Sequence, residues 1–270
     1  MNYQGKWALV TGASAGIGEA FADALAAKGA NLVLTARRED RLNRLAANLA
    51  AKTGVRAIAI AADLADPRAP EAIGLAVAAA GARVDILINN AGYGLPGRFE
   101  QSDWSAHRAF IEVMVTSCAR LICDFLPGMQ ERGFGRIINV ASLAGLMPGS
   151  AGHTMYGASK AFLISFSQSL AAENSGTGVH VSALCPGFTY SEFHDVNKTR
   201  ELVSRLPKFM FMKAEPVVLG ALAAVERRHV VYVPGLFNKS VAFLMNALPR
   251  PVAAAAVASQ SRRVRHIAPD

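Results

Sequence analysis

Trp7-Ala8-Leu9-Val10-Thr11-Gly12-Ala13-Ser14-Ala15-Gly16-Ile17-Gly18 runs from an apolar stretch of strand length into three spaced glycines, and Glu19 to Lys28 then continues at helical spacing. Small residues at such a strand-to-helix turn let the backbone approach a pyrophosphate closely. The free N–H groups of the first helical turn then face its negative charge. A glycine triplet alone also describes any tight turn, but the strand before it and the helix after it favour the dinucleotide reading. Gly12, Ser14, Gly16, Ile17 and Gly18 are therefore expected cofactor contacts.

Outward from this turn, apolar runs alternate with longer segments of helical period, the pattern of βαβ units in a parallel sheet covered on both faces. The expected strands are Trp7–Thr11, Asn31–Thr35, Ala57–Ala61, Ile86–Asn89, Arg136–Val140, His180–Cys185 and Val230–Val233. With 270 residues, 52% of them hydrophobic, the chain has apolar surface enough for one large core. The fold class expected is α/β, a doubly wound Rossmann-type parallel sheet in a single domain over residues 1–235, followed by an apolar and basic extension over 236–270. Gly149 to Gly157 and Phe188 to Lys213 read as loops or short helices. The second stretch is too long and too apolar for a solvated linker, so residues 188–213 read as a substrate lid.

The formal charge of +8 would suit an acidic partner. Its distribution argues against nucleic acid: Arg37, Arg38, Arg41 and Arg44 follow one strand, Arg262, Arg263 and Arg265 lie near the C-terminus, and no basic face interleaved with aromatics results. Cys118, Cys123 and Cys185 give an odd count without metal-ligand spacing, which suits reduced thiols better than a disulfide framework; no metal site is expected. The longest apolar stretches, Ala72 to Ala82 and the Ala-rich segment after Pro251, fall short of the roughly 18 residues that a membrane span needs. Met1 through Lys6 leave no room for a secretion signal before the first strand. These features point to a cytoplasmic location.

After the second strand, enzymes selective for unphosphorylated nicotinamide dinucleotides commonly carry an acid for the ribose hydroxyls. Here stand Ala36, Arg37 and Arg38. An acid would repel a 2′-phosphate, whereas a guanidinium forms charge-assisted bonds to it, so these residues favour NADP over NAD. The plainer alternative has both arginines opening a solvated helix face.

Further motifs follow in order: Asn89-Asn90-Ala91-Gly92 after the fourth strand, Ser142 after the fifth, Tyr156-Gly157-Ala158-Ser159-Lys160, and Pro186-Gly187 after the sixth. In this combination the chain resembles a short-chain dehydrogenase/reductase of the short, single-domain type, over roughly residues 5 to 235. Part of the chemistry can be argued from the residues. Tyr156 and Lys160 share a helix face at i,i+4, which lets the ammonium lie near the phenol. A neighbouring cation and an oxidised nicotinamide both favour the phenolate, lowering a pKa that is otherwise about 10 and making Tyr156 a usable acid/base.

The resemblance implies catalytic roles for Ser142, Tyr156 and Lys160. Ser142 orients the substrate carbonyl, Lys160 also binds the nicotinamide ribose, and Tyr156 handles the oxygen's proton as hydride passes between carbon and nicotinamide. It further implies cofactor contacts at Asp63, Asn90, Gly92, Tyr156, Lys160, Pro186, Gly187, Phe188, Thr189 and Ser191, although Ser191 equally describes an exposed lid serine. Relatives commonly pair through the long helices flanking the fifth strand, so a homodimer or homotetramer is expected. His153 reads as a hydrogen-bonded bystander. One position departs from the family pattern: Met114 stands where relatives carry a catalytic asparagine. The resemblance places a relay water on the backbone carbonyl there, so methionine would keep the water and lose the side chain's support. Thr116 or Ser117 could supply a hydroxyl instead, and a shifted alignment would also explain the mismatch.

Phe209, Met210, Phe211 and Met212 read as the lining of an apolar pocket or as core. The segment Leu236 to Leu248, with Lys239 before an apolar run and Arg250 after it, reads as packing against the domain or a neighbouring subunit in preference to lying on a membrane surface. The expected function is NADP(H)-dependent interconversion of a carbonyl and a secondary alcohol on an apolar or acyl-type small molecule. A non-catalytic NADP-binding regulatory or scaffolding protein is the rival that Met114 encourages and the Ser142, Tyr156 and Lys160 set discourages. A sugar-nucleotide epimerase or dehydratase shares the Tyr/Lys pair, but the short length and the Asn89 to Gly92 motif count against it.

Overall fold

The computed structural model describes residues 2–95, 97–149, 151–152, 154–190 and 207–264, with side chains omitted over 260–264. His153, Ser191 and the middle of the expected lid lie outside the described residues. Seven strands, β1 (Trp7–Thr11), β2 (Asn31–Ala36), β3 (Ala57–Ala61), β4 (Val84–Asn89), β5 (Gly135–Val140), β6 (Val179–Leu184) and β7 (Val231–Tyr232), form one parallel sheet in the order β3-β2-β1-β4-β5-β6-β7. The doubly wound α/β fold is thus present as expected. β7 is shorter than its apolar run because it is an edge strand and pairs only with Ala183 and Leu184.

The helices are α1 (Gly16–Ala26), α2 (Glu39–Thr53), α3 (Ala69–Ala79), α4 (Trp104–Ile111), α5 (Ser117–Glu131), α6 (Thr154–Glu173), α7 (Ala214–Glu226), α8 (Leu236–Ala247) and α9 (Arg250–Val264). Successive strand residues point to opposite faces, so one apolar run feeds two cores. Ala8, Val10, Ile86 and Ile88 pack with Phe21 and Leu25 of α1 and Val218 and Leu222 of α7. Leu9 and Leu87 pack on the other face with Ile73 of α3, Leu121 of α5 and Leu170 of α6.

The strand order reverses between β1 and β4, which opens a crevice beyond their C-terminal ends. Two buried polar arrangements hold its edges. At the first, the Thr11 hydroxyl accepts the N–H groups of Asn90 at 2.9 Å and Ala91 at 3.0 Å, and donates to the Ile88 carbonyl at 3.3 Å. The Asn90 amide returns the link by donating to the carbonyls of Thr11 at 2.9 Å and Gly12 at 3.2 Å. A Cβ on Gly18 would collide with the Gly12 carbonyl and the Asn90 amide, so this glycine is required by close approach. At the second, Asn89 donates to Asn139 and Asn139 to Ser167, each at 2.9 Å, joining β4, β5 and α6 through the interior.

Thr11→Val keeps the shape of the side chain but strands two backbone N–H groups in a site where Thr11 itself is 1% exposed. Each unsatisfied group costs about 1–3 kcal/mol. Chemical denaturation should therefore show a loss of roughly 2–6 kcal/mol, and a change near zero would mean that water reaches the clasp.

Candidate active site

Strand β5 ends at Val140, and Ser142 follows as the N-terminal cap of a short 3₁₀ turn, Leu143–Leu146, its hydroxyl accepting the Ala144 N–H at 3.1 Å. This turn lies directly on α6: a Cβ on Gly145 would come within 2.6 Å of the Lys160 backbone. The close approach brings Ser142 to Tyr156, and the two side chains share a hydrogen bond. One helical turn further along α6, the Lys160 ammonium is buried and donates to the Val140 carbonyl at 2.7 Å. It stands 5.7 Å from the centre of the Tyr156 ring. The three residues expected to be catalytic are therefore brought together.

Their electrostatics differ from the expectation. Burial pushes the Tyr156 phenol above its ordinary value, and the Ser142 hydrogen bond is what pulls the other way. In the ligand-free protein Lys160 does not offset this, its ammonium being turned onto the Val140 carbonyl; the expected acidification also counts on a bound oxidised nicotinamide. Burial also pulls Lys160 down to about 8. Its neighbours Cys118 and Cys185 are themselves pushed up by burial, to about 11 and about 12, so they present neutral thiols to it.

Met114 is buried in a five-residue π segment, Glu112–Thr116, between α4 and α5, closed by the Ser117 N–H donating to the Glu112 carbonyl. Such bulges gather at functional sites. A Cβ on Gly92 would lie 2.9 Å from the Met114 sulfur and 3.7 Å from the Lys160 Nζ, so Met114, Gly92 and Lys160 converge at one point. Neither substitute hydroxyl is brought there: Ser117 donates to the Leu64 carbonyl at 2.9 Å, and Thr116 is exposed.

The nucleotide end lies across the crevice. Helix α1 begins at Gly16 with φ +61°, and Ala15 before it makes no side-chain cap hydrogen bond to the first-turn N–H groups. The Arg38 guanidinium donates to the Ser14 hydroxyl at 3.0 and 3.2 Å and to the Ser14 carbonyl at 3.3 Å. Tyr93, raised mainly by burial, feels the opposed charges of Arg37 and Asp63, which places both near its ring. This donor set fits a phosphorylated dinucleotide: uncapped backbone donors at a strand-to-helix turn, with guanidinium groups at the tip of β2. Asn90 stands at the site, but its amide is spent on the loop carbonyls described above.

Beyond β6, the Pro186 carbonyl accepts the Leu143 N–H at 2.9 Å, tying this loop to the turn after Ser142. Phe188 to Tyr190 then pair with Met212, and the Phe211 ring lies 5.5 Å from Phe188 and 5.0 Å from Tyr190. Thr189 is buried and donates to the Gly187 carbonyl at 3.2 Å. Sequence reasoning missed Asn238. Buried on α8, it donates to the Pro234 carbonyl at 2.9 Å and to the Met212 sulfur at 3.5 Å, and its amide would clash with any Cβ on Gly187. The available signal was an amide directly after Leu236 and Phe237 in a largely apolar helical run.

Comparison with known proteins places these features in context. A family model described as short chain dehydrogenase matches residues 6–201. The chain is 38% identical over 236 residues to Nodulation protein G of Rhizobium sp. (strain N33), covering 86% of this chain and 93% of that protein. It is 38% identical over 191 residues to the 3-oxoacyl-[acyl-carrier-protein] reductase FabG of Escherichia coli (strain K12), covering 70% and 75%. Among solved structures, a short-chain dehydrogenase from Sphingobium yanoikuyae in complex with NADPH superposes with a TM-score of 0.79 at 34% identity, covering 90% of this chain and 96% of that one.

The buried ammonium carries a measurable cost. A fall from 10.5 to about 8 amounts to about 3 kcal/mol of disfavoured charge. Below pH 8 both folded and unfolded chains hold the proton and the cost is fully present; between pH 8 and 10.5 only the unfolded chain holds it, so stability rises with pH across that window. Lys160→Met should accordingly raise the unfolding free energy of the ligand-free protein by an amount on the order of 3 kcal/mol at pH 7, fading towards pH 10. A variant no more stable than the parent at neutral pH would refute the burial cost.

Proposed function

The chain belongs to the short-chain dehydrogenase family, and from that membership we propose that it is an NADP(H)-dependent oxidoreductase interconverting a carbonyl and a secondary alcohol, with Ser142, Tyr156 and Lys160 as its catalytic residues. The observation that carries this reading is the Ser142–Tyr156 hydrogen bond beside the buried Lys160, beyond the end of β5.

NADP(H), when bound, supplies or accepts the hydride. The chain's own residues do the rest. Ser142 donates to the substrate oxygen and orients the carbonyl. Tyr156, whose phenol is kept protonated by burial, gives its proton to that oxygen on reduction and takes it back on oxidation. Lys160 holds a positive charge next to Tyr156 and, by family resemblance, bonds the nicotinamide ribose. The uncapped start of α1 and the glycine turn Gly12 to Gly18 receive the diphosphate, and Arg37 and Arg38 receive the 2′-phosphate. Asp63 serves the adenine end. Gly92, Pro186, Gly187, Phe188 and Thr189 border the nicotinamide end, and Ser191 is assigned to the same stretch. The NADPH bound by the Sphingobium relative supports this choice of cofactor.

The substrate proposed is an apolar or acyl-type carbonyl compound. Phe188, Tyr190 and Phe211 form an aromatic cluster beyond the end of β6, and the 3-oxoacyl substrate in the name of the Escherichia coli relative supports an acyl chain. Residues 1–235 act as the catalytic domain with residues 188–213 as its lid, and 236–270 form an extension. The protein works as a homodimer or homotetramer in the cytoplasm; among the described residues no helix is long and apolar enough to cross a membrane.

Consumption of NADPH against a panel of ketones, aldehydes and 3-oxoacyl thioesters tests this reading. Tyr156→Phe should lower kcat about 10²–10⁴-fold while leaving NADPH binding intact. Because the phenol's pKa is raised, reduction should hold its rate through neutral pH and fall only at alkaline pH, whereas alcohol oxidation should rise with pH. Turnover that is indifferent to Tyr156→Phe would overturn the assignment, and NADPH binding without any turnover would favour a regulatory protein. For the cofactor, Arg37→Ala and Arg38→Ala should each raise KM for NADPH roughly tenfold or more and leave KM for NADH nearly unchanged. Equal losses for both dinucleotides would remove the 2′-phosphate contact.

A further inference from the structure

Twelve large apolar side chains are exposed among the described residues, and six of them, Phe209, Leu236, Phe237, Phe243, Leu244 and Val252, lie on or beside the C-terminal helices. Single exposed apolar residues are ordinary, but a cluster marks a contact surface. On α8, Leu236, Phe243 and Leu244 are 81%, 75% and 51% exposed. At 100° per residue they share one face with Ser240 and Ala247, while Asn238 and Ala242 on the opposite face are buried against the domain. Helix α8 thus packs along one seam and turns a second apolar face outward. Phe209 extends that face, its ring meeting Phe237 edge-on at 5.4 Å.

The charge of the C-terminal sequence is one-sided. Residues 227–270 hold seven Lys and Arg against a single acid, Asp270, whereas residues 1–226 hold 21 against 19. Most of the net charge of +8 therefore resides in the last sixth of the chain. Lys208 beside Phe209, Lys239 on α8 and Arg250 at the start of α9 are all exposed.

An apolar helical face framed by cations, on a helix too short to span a bilayer, has the chemistry of an interfacial helix. We propose that α8, with Phe209 and the start of α9, docks this protein in the plane of an anionic lipid surface. Leu236, Phe243 and Leu244 enter the boundary between headgroups and acyl chains, and Lys208, Lys239 and Arg250 meet lipid phosphates. A second copy of the chain fits this face less well, because a two-fold contact would set Lys208, Lys239 and Arg250 of each copy against their own equivalents. The inference does not depend on the catalytic reading.

Flotation of the full chain with vesicles of phosphatidylcholine, alone or mixed with phosphatidylglycerol, tests it. Partition should be at least about tenfold stronger onto the anionic vesicles and should weaken with added salt. Leu236→Ser combined with Phe243→Ser should abolish binding without lowering the thermal midpoint, since both side chains are exposed. Lys239→Glu combined with Arg250→Glu should weaken binding at least about tenfold with the apolar face intact. Absence of wild-type binding to anionic vesicles, or equal binding by the serine variant, would overturn the proposal. So would light scattering that finds an oligomer which the serine variant splits, since the face would then lie between copies of the chain.

Discussion

Lys160 carries an ammonium into the buried interior, and the Val140 carbonyl at 2.7 Å is the partner that makes this tolerable. That carbonyl is available because β5 ends there and the chain turns away at Ser142. The charge, the hydroxyl and the phenol are therefore set by one strand end and one helix, with Gly145 allowing the two to touch. The same burial that keeps Tyr156 protonated holds Lys160 down to about 8. Stability is given up for a positive charge at a fixed place, a common trade where a site must be electrostatically prepared before its ligand arrives.

The rest of the framework limits how far this point can move. The Thr11 and Asn90 clasp fixes the glycine turn to the end of β4, and the Asn89–Asn139–Ser167 chain fixes β4 to β5 and α6. Every member is buried or half-buried and bonded, so the two halves of the crevice are held by directional contacts rather than by apolar packing alone. The nucleotide end and the proton-handling end consequently keep one spacing.

Two further side chains shape this frame. Met114 fills the space between Gly92 and Lys160 from within a π segment, a thioether at the position where the resemblance led us to expect an asparagine; neither Thr116 nor Ser117 is brought there. Asn238 bonds α8 to Met212 and packs closely against Gly187. The C-terminal helix is thereby tied to the loop after β6, and its outward apolar face is held in a defined orientation.

The order of strands and helices was legible in the residues because period and turn chemistry are local properties: Leu9, Leu34 and Ile88 announce buried strands whatever surrounds them. So were the positions of Ser142, Tyr156 and Lys160, since a motif states its own spacing. The direction of the Tyr156 shift was not legible, because helical spacing reports only that an ammonium is within reach, whereas desolvation depends on what else packs there. Likewise the engagement of Ser117 by Leu64, 53 positions away, and of Asn238 by Met212 follows from contacts between segments far apart in the chain. Sequence determines which groups are present and how they repeat; tertiary structure decides which of them lose water and which partners replace it, because dielectric surroundings and hydrogen-bond geometry belong to the packed whole.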